Sequence, residues 1–204
     1  HVDPIKEAIP VVPTCHYMMG GTPTNIHGQA FSRNDGNDFM VSGLFSVGEA
    51  ACVSVHGANR LGGNSLLDLV VFGRAAGKHI NEELKSGGGV DNASSEDIEL
   101  AMSRLNSLNE SESGYEVADV KKQLQTCMQN YFGVFRRGEF MEKGVKELEE
   151  IREKSENLYL KDKSIAFNTN RVEALELQNL LEVAEATAIS AMMRDESRGA
   201  HARD

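Results

Sequence analysis

The chain has 204 residues and a formal net charge of −10, with 40% apolar and 25% charged residues. This length allows one ordinary domain or two small ones, and the apolar content argues against global disorder. The negative charge argues against a nucleic-acid partner, and no apolar run reaches the roughly 20 residues that a membrane-spanning helix needs.

The cysteines are too few and too scattered to form a scaffold. Cys15, Cys52 and Cys127 contain no CxxC pair, and three thiols cannot all pair within one chain. We therefore expect neither a disulfide framework nor a structural zinc site, and we expect a reducing compartment. The chain opens on His1 rather than Met, which we interpret as the start of a piece of a longer product.

The first 90 residues are rich in Gly and β-branched residues. Ile9–Val12 predicts a short strand, and Asn34-Asp35-Gly36 predicts the turn of a hairpin between Gln29–Ser32 and Asp38–Val41. Leu44–Val47 is an apolar run bounded by glycines, which favours a buried strand.

A helix is predicted next, over Ser65–Lys85. Ser65 and Asp68 have the spacing of a capping box, with the acidic residue near the positive end of the helix. Ser86–Gly89 predicts the helix stop and a flexible joint.

The remainder contains no Pro and is rich in Glu, Leu, Lys and Ala. Ser94 to Asp97 can cap a helix that runs to about Leu108. Three further amphipathic stretches have helical spacing: Val117–Tyr131, Met141–Ile151 and Val172–Met193. Short connections between these helices predict an antiparallel bundle.

The segment His56–Ser65 is the best candidate for binding chemistry. It joins a predicted strand to a predicted helix through three glycines, Gly57, Gly62 and Gly63. Glycines let a ligand approach the backbone, and the helix N-terminus offers N–H groups to an anion. The pattern fits neither the dinucleotide fingerprint nor the P-loop, and a tight turn without a ligand is the alternative interpretation.

A second candidate segment, Pro13–Gly21, contains His16 beside a double glycine. A lone histidine is most often structural or solvent-exposed, and the adjacent Cys15 is not expected to face it as a nucleophile partner. His16 and Arg60 together could clamp a carboxylate, provided that the fold brings them close.

Both segments lie in runs that resemble the succinate dehydrogenase and fumarate reductase flavoprotein family. Pro13–Gly21 is similar to the family's P-T-x-H-Y-x-M-G-G segment, and the order of the matching runs is that of the family. The runs are Val11–Gly21, Gly43–Glu49, Val53–Arg60, Leu61–Gly77, Cys127–Asn130, Phe135–Arg136, Phe167–Thr169, Leu175–Leu180 and Glu196–His201. Within the family, Gly63 and Leu67-Asp68 resemble succinate dehydrogenases of a bacterial type more than fumarate reductases.

The resemblance implies an α+β fragment: the C-terminal half of a flavin-binding α/β domain followed by an antiparallel helix bundle. Residues 1–24 would end the capping domain, 25–89 would be the second half of the flavin-binding domain, and 90–204 would be the helical domain. N-terminal and C-terminal parts of the family fold would be missing. Apolar side chains of 44–47 and 66–71 should consequently be exposed, because the absent sheet would cover them.

The resemblance also implies roles for five residues. His16 and Arg60 match the residues that bind substrate carboxylates, and a planar guanidinium suits a dicarboxylate because it can bond two oxygens at once. Glu49, Ser65 and Leu66 match residues that contact the flavin of FAD. The histidine that attaches the flavin and the arginine that accepts the proton would lie upstream, so the fragment should contain no catalytic residue and should be inactive alone. No metal ligand is expected.

The implied parent oxidises succinate to fumarate with FAD and passes electrons to an iron–sulfur subunit, itself held by membrane-anchor subunits. It would lie peripherally on the cytoplasmic face of the bacterial inner membrane, or on the matrix side of the mitochondrial one, without inserting directly. Two alternatives stay open. The parent could be a fumarate reductase, or the fragment could be a non-catalytic helical module that docks subunits.

Overall fold

The structure is a computed structural model that describes residues 2–11, 16–89 and 92–204. The chain divides into two compact units, one of residues 15–92 and one of residues 1–14 with 93–204. The predicted strand at Ile9–Val12 was wrong over residues 9–11, which form no strand, and Val12 lies outside the described residues. Pro10 has no N–H to donate to a strand ladder, which disfavours pairing there.

The first unit contains a hairpin and a short parallel pair. The strands are β1 (Thr22–Pro23), β2 (Gln29–Asn34), β3 (Asn37–Phe45) and β4 (Ala51–Cys52). β2 and β3 pair antiparallel around a two-residue turn, and β1 pairs parallel with β4. Asp35 and Gly36 in the turn both have positive φ, 49° and 82°, as a type I′ turn requires. The predicted hairpin is confirmed.

The apolar run Leu44–Val47 does not form a separate buried strand, so that prediction was wrong. Leu44 and Phe45 end β3, and the side chains of Leu44 and Val47 are 48% and 36% exposed. The exposure expected for a fragment without its covering sheet is therefore confirmed for these two residues.

One long helix, α1 (Asn64–Lys85), follows as predicted. At its end the Gly88 N–H donates to the Glu83 carbonyl across 2.9 Å, and Gly87 has a φ of 85°. This arrangement is a glycine-terminated helix stop. The N-terminal half of α1 leaves apolar side chains exposed, as expected for residues 66–71: Leu66, Leu67, Leu69, Val70 and Val71.

The second unit is a helix bundle, as the apolar stripes predict. Its helices are α2 (Ser95–Glu110), α3 (Val117–Tyr131), α4 (Gly138–Ser155) and α5 (Thr169–Met193). The predicted cap of α2 is confirmed, because Ser94 and Asp97 form a reciprocal capping box. The core consists mainly of buried side chains from α3, α4 and α5, among them Val120, Leu124, Met141, Leu148, Ile151, Leu177 and Leu181.

Two parallel pairs of two-residue strands join the ends of the bundle's helices. β5 (Tyr115–Glu116) pairs with β7 (Leu158–Tyr159), and β6 (Phe135–Arg136) pairs with β8 (Ala202–Arg203). Beside the second pair, Arg136 Nη1 lies 2.8 Å from Nδ1 of the buried His201. Burial is the main cause that lowers the pKa of His201, so this imidazole accepts from the guanidinium in its neutral form.

Across the described parts of the chain, no helix has the length and apolar character to span a bilayer. The same residues include no cluster of three or more His, Cys, Asp or Glu side chains placed to hold a metal ion. Cys52 and Cys127 are free thiols, and Cys15 lies outside the described residues.

Candidate functional site

The loop between β4 and α1 ends at an open helix N-terminus. Gly63 is the N-cap residue with a φ of 82° and supplies no side-chain cap. The Asn64 and Leu66 N–H groups donate to the carbonyls of Leu61 and Gly63, each across 3.1 Å. A Cβ placed on Gly62 or Gly63 would meet no atom within 4 Å, so the backbone faces open space. An open N-terminus with an accessible backbone suits an anionic group.

Arg60 lies in this loop, three residues before the N-cap. Its guanidinium carbon is 4.6 Å from the centroid of the Tyr17 ring, which is a cation–π distance. Within the described residues, its Nε is buried and has no hydrogen-bond partner. Buried polar nitrogens are nearly always paired, so an unpaired one needs an explanation, and a bound anion would supply its partner.

The first turn of α1 does not contain the predicted capping box. The Asp68 carboxylate turns away from the helix end, and its Oδ2 lies 2.9 Å from Nε2 of His56. The two side chains are only 3% and 15% exposed. A buried carboxylate needs a nearby donor more than an exposed helix end needs a cap, because leaving a charge unpaired in the interior costs more.

His56 also connects this pair to the tyrosine. Its ring meets the Tyr17 ring edge-on, with the centroids 6.0 Å apart and an interplanar angle of 79°. Edge-to-face packing is a favoured aromatic geometry. Asp68, His56, Tyr17 and Arg60 therefore form one continuous row of contacts, which we call the Asp68–Arg60 row.

The surroundings of Tyr17 raise the pKa of its phenol above the ordinary value. Desolvation is the largest cause that raises the pKa of its phenol, and the negative charges of Asp68 and Glu49 raise that pKa further, against the opposing effect of Arg60. A neutral phenol keeps an undisturbed π face toward the guanidinium across the physiological pH range.

Two glycines bring the neighbouring segments close to one another. Gly21 has a φ of 111°, and a Cβ there would lie 2.6 Å from the Ala50 carbonyl oxygen. Gly48 has a φ of 73°, and a Cβ there would overlap Leu69 of α1. The short 3₁₀ helix Gly48–Ala50, which carries the exposed Glu49, is thereby held against α1.

The structure thus brings some of the predicted residues together. Arg60 contacts the neighbour of the exposed His16, and Glu49 is near enough to act on Tyr17. Ser65 is half-buried and Leu66 exposed in the first turn of α1. Sequence reasoning gave no role to Tyr17 or His56, and it assigned Asp68 to a helix cap rather than to the bond with His56. Tyr17 and His56 stood inside the quoted motifs, and only their spatial contact reveals a role.

Comparison with known proteins covers both units. Residues 1–66 match the FAD binding domain family, and residues 121–204 match the family described as fumarate reductase flavoprotein C-term. The succinate dehydrogenase flavoprotein subunit of Coxiella burnetii is 50% identical over the whole chain, which covers 35% of that protein. A mitochondrial succinate dehydrogenase flavoprotein of Xenopus laevis is 46% identical over 203 residues, with 30% of that protein covered.

The chain belongs to the succinate dehydrogenase and fumarate reductase flavoprotein family. The resemblance read from the motifs is therefore confirmed. A quinol fumarate reductase of E. coli superposes with a TM-score of 0.84 at 40% identity, with 100% of this chain and 33% of that chain covered. The predicted fold class, part of a flavin-binding α/β domain followed by a helix bundle, is confirmed as well.

The chain spans about a third of the length of the family members that it matches. Three members of the Asp68–Arg60 row and the start of α1 fall in the segment Val53–Gly77 that resembles the family's flavin-binding region, and the fourth member, Tyr17, falls in the run Val11–Gly21. The geometry of this segment also fits an anionic cofactor or substrate. It offers accessible backbone at Gly62 and Gly63, a helix N-terminus without a side-chain cap, and a guanidinium nitrogen that has no partner among the described residues.

Proposed function

We propose that this chain is the part of a succinate dehydrogenase flavoprotein that binds one substrate carboxylate and one edge of the flavin. The whole protein would oxidise succinate to fumarate. The observation that carries the proposal is the half-buried Arg60, whose Nε lacks a partner among the described residues while its face rests on Tyr17. Relatives at 46–50% identity are named as flavoprotein subunits of this enzyme.

Two residues would hold the substrate. Arg60 would bond two oxygens of one carboxylate through its planar fork, and His16 would donate a hydrogen bond to a carboxylate. Pinning a flexible dicarboxylate in one conformation aligns the two C–H bonds that must break. His16 precedes Tyr17, whose ring touches Arg60, and this adjacency supports a shared site.

Three residues would contact the cofactor. Glu49 would bond the ribityl region of FAD, and Ser65 and Leu66 would bring the backbone at the start of α1 to the flavin ring. Bound FAD supplies the hydride acceptor. The open N-terminus of α1 would stabilise the negative charge that a reduced flavin carries, because the helix dipole is positive there.

The division of the chain follows from the same proposal. Residues 1–24 would complete a capping domain, 25–89 would be the second half of the flavin-binding domain, and 90–204 would be the helical domain. In the whole enzyme, electrons would pass to an iron–sulfur subunit, then to membrane-anchor subunits. The assembly would lie on the cytoplasmic face of a bacterial inner membrane or, as the alternative, on the matrix side of the mitochondrial one; relatives of both origins match the chain, at 50% and 46% identity.

A fumarate reductase is the second candidate. The 40% identity and the TM-score of 0.84 to a quinol fumarate reductase favour it as an alternative direction of the same chemistry. A site that binds both dicarboxylates serves either direction, and the potentials of the electron carriers set the bias.

The test uses the full-length protein purified with its partner subunits. We expect bound FAD and dye-coupled succinate oxidation, with fumarate reduction from a reduced dye measured in parallel to give the direction. Absence of flavin, or flavin without turnover of either dicarboxylate, would contradict the proposal.

A further inference from the structure

We propose that His56 and Asp68 are positioning residues that hold the Tyr17 ring, and through it the Arg60 guanidinium, in the orientation that binds a carboxylate. The inference rests on the proposed binding role of Arg60. It assigns a function to the far end of the Asp68–Arg60 row, which does not itself need to touch substrate or cofactor.

Asp68, the first residue of the row, is held in place by burial on α1 and by a hydrogen bond. Asp68 lies on α1 with its side chain 3% exposed, and its Oδ2 accepts a hydrogen bond from His56 Nε2 across 2.9 Å. Among the described residues, its other oxygen, Oδ1, is buried without a partner. His56 is thus the partner that the carboxylate has, and a charge-assisted bond to a buried carboxylate fixes the plane of the imidazole.

The imidazole then fixes the tyrosine. The two rings meet at 79° with centroids 6.0 Å apart, so a rotation of either ring would lose the edge-to-face contact. Tyr17 sits in a segment without regular secondary structure. Its ring orientation therefore depends on side-chain packing rather than on backbone pairing.

The Tyr17 ring in turn orients the Arg60 guanidinium without accepting a hydrogen bond from it. A ring 4.6 Å from the Arg60 carbon stabilises the cation through its π face and takes none of its N–H donors. Those donors stay available for carboxylate oxygens. An ion pair would have held the arginine equally well but would have competed with the substrate, which explains a neutral aromatic support at this place.

A purely structural role is the competing explanation, in which the His56–Asp68 pair only stabilises the loop onto α1. The two explanations differ in whether the affinity for the substrate carboxylate changes. Loss of a structural pair lowers thermal stability or flavin content, whereas loss of a positioning pair weakens carboxylate binding at constant flavin content.

The experiment measures kcat, KM for succinate, flavin content and Tm in the full-length complex. Asp68→Asn keeps the shape but not the charge, and Tyr17→Leu removes the ring. We expect each to lower kcat/KM per bound flavin about tenfold, mainly through KM, which corresponds to one desolvated cation–π contact. Tyr17→Phe keeps the ring and should stay within about twofold of wild type.

The double variant Tyr17→Leu/Asp68→Asn should lose less than the sum of the single losses, because both act through the same ring. The matched control is His79→Gln on α1, which removes a second histidine–carboxylate pair, His79 Nε2 to Glu83 Oε1 at 3.1 Å. It should leave kcat/KM unchanged. If Asp68→Asn fails to assemble, His56→Gln takes its place in the cycle.

Unchanged kcat/KM per flavin in Asp68→Asn, or strictly additive losses in the double variant, would overturn the inference. The proposed function is judged separately, on the wild-type protein. If wild type does not oxidise succinate but binds the non-oxidisable dicarboxylate malonate, and Asp68→Asn weakens that binding about tenfold, the inference stands and the proposed reaction falls. If wild type binds no malonate either, both fall.

Discussion

The guanidinium of Arg60 rests on the ring of Tyr17, 4.6 Å from its centroid, while the guanidinium Nε is buried without a partner among the described residues. The cation is thus held in place by a surface that cannot neutralise it. Such an arginine keeps its bonding capacity for a ligand, and a carboxylate is the group that its fork matches best.

Arg60→Lys in the full-length enzyme should cripple turnover and leave the flavin bound. Lysine keeps the positive charge but loses the two-pronged geometry and the flat face that stacks on Tyr17. The loss of transition-state stabilisation should be on the order of 2–4 kcal/mol, as for removal of an electrostatic donor. Steady-state kinetics with flavin quantified by absorbance measures it, and near-normal succinate oxidation would show that Arg60 does not hold the substrate.

The 204-residue chain alone should bind FAD weakly and oxidise no succinate. It offers contacts to the flavin end only, through Glu49 and the start of α1, whereas dinucleotide sites bury most of the cofactor. Each 1.4 kcal/mol of lost contact weakens binding about tenfold. Flavin fluorescence titration and a dye-coupled assay test this. Submicromolar binding, or turnover above background, would contradict it.

The helical part should fold without the first unit. A chain of residues 92–204 should show cooperative thermal unfolding when circular dichroism is recorded on heating, because its core lies among α3, α4 and α5.

The same chain stopped at residue 197 should be less stable by about 1–3 kcal/mol, since it lacks β8 and the buried His201 that pairs with Arg136. A gradual, non-cooperative signal from residues 92–204 would contradict the first expectation, and equal stability of the two chains would contradict the second.

Cys127 should resist alkylation in the folded chain. Burial raises the pKa of this thiol from its ordinary value of 9.0 to about 12, and the thiolate is the reactive form. At pH 8, iodoacetamide should modify the half-buried Cys52 and leave Cys127 untouched until denaturant is added. Peptide mapping by mass spectrometry separates the two sites, and equal modification of both in the folded state would refute the expectation.

The same pKa shift makes a prediction about stability. The pKa of the Cys127 thiol is higher in the folded than in the unfolded chain. The contribution of this thiol to the free energy of unfolding is therefore fully present below pH 9 and is lost as the pH rises toward 12. The stability advantage of wild type over Cys127→Ala should shrink over that window by about 1.4 kcal/mol per pH unit. Denaturant unfolding of both proteins at pH 8 and pH 10.5 measures it, and a constant difference would contradict it.

Local patterns were sufficient to predict the elements whose cause is local. The turn at Asp35-Gly36, the stop after Lys85 and the cap at Ser94 each depend on residues within a few positions. Asp68 shows where this reasoning fails. The spacing from Ser65 fits a cap, but the carboxylate bonds His56, twelve residues away. The fold places the two side chains next to each other, and a local sequence pattern does not contain that information.

Other features were beyond a sequence pattern for similar reasons. Strands of two residues such as β5 and β8 show no periodicity, and their partners lie 43 and 67 residues away along the chain (Tyr115 with Leu158, Phe135 with Ala202). Residue type and pattern suggested His16 and Arg60 as a carboxylate clamp, whereas roles for Glu49, Ser65 and Leu66 came only through the resemblance. The contact between Tyr17 and Arg60 required the fold, since 43 residues separate them (60 minus 17).

The close approach of two backbone segments beside the site depends on the absence of a side chain at Gly21. With a φ of 111° and the Ala50 carbonyl oxygen 2.6 Å from where its Cβ would stand, Gly21 lets two stretches of backbone touch directly. A single added methyl group there would wedge them apart and tilt the segment that carries His16 and Tyr17. If His16 and Arg60 hold the substrate as proposed, their placement depends on a residue without a side chain, and a larger residue at position 21 would lower turnover with every proposed site residue still present.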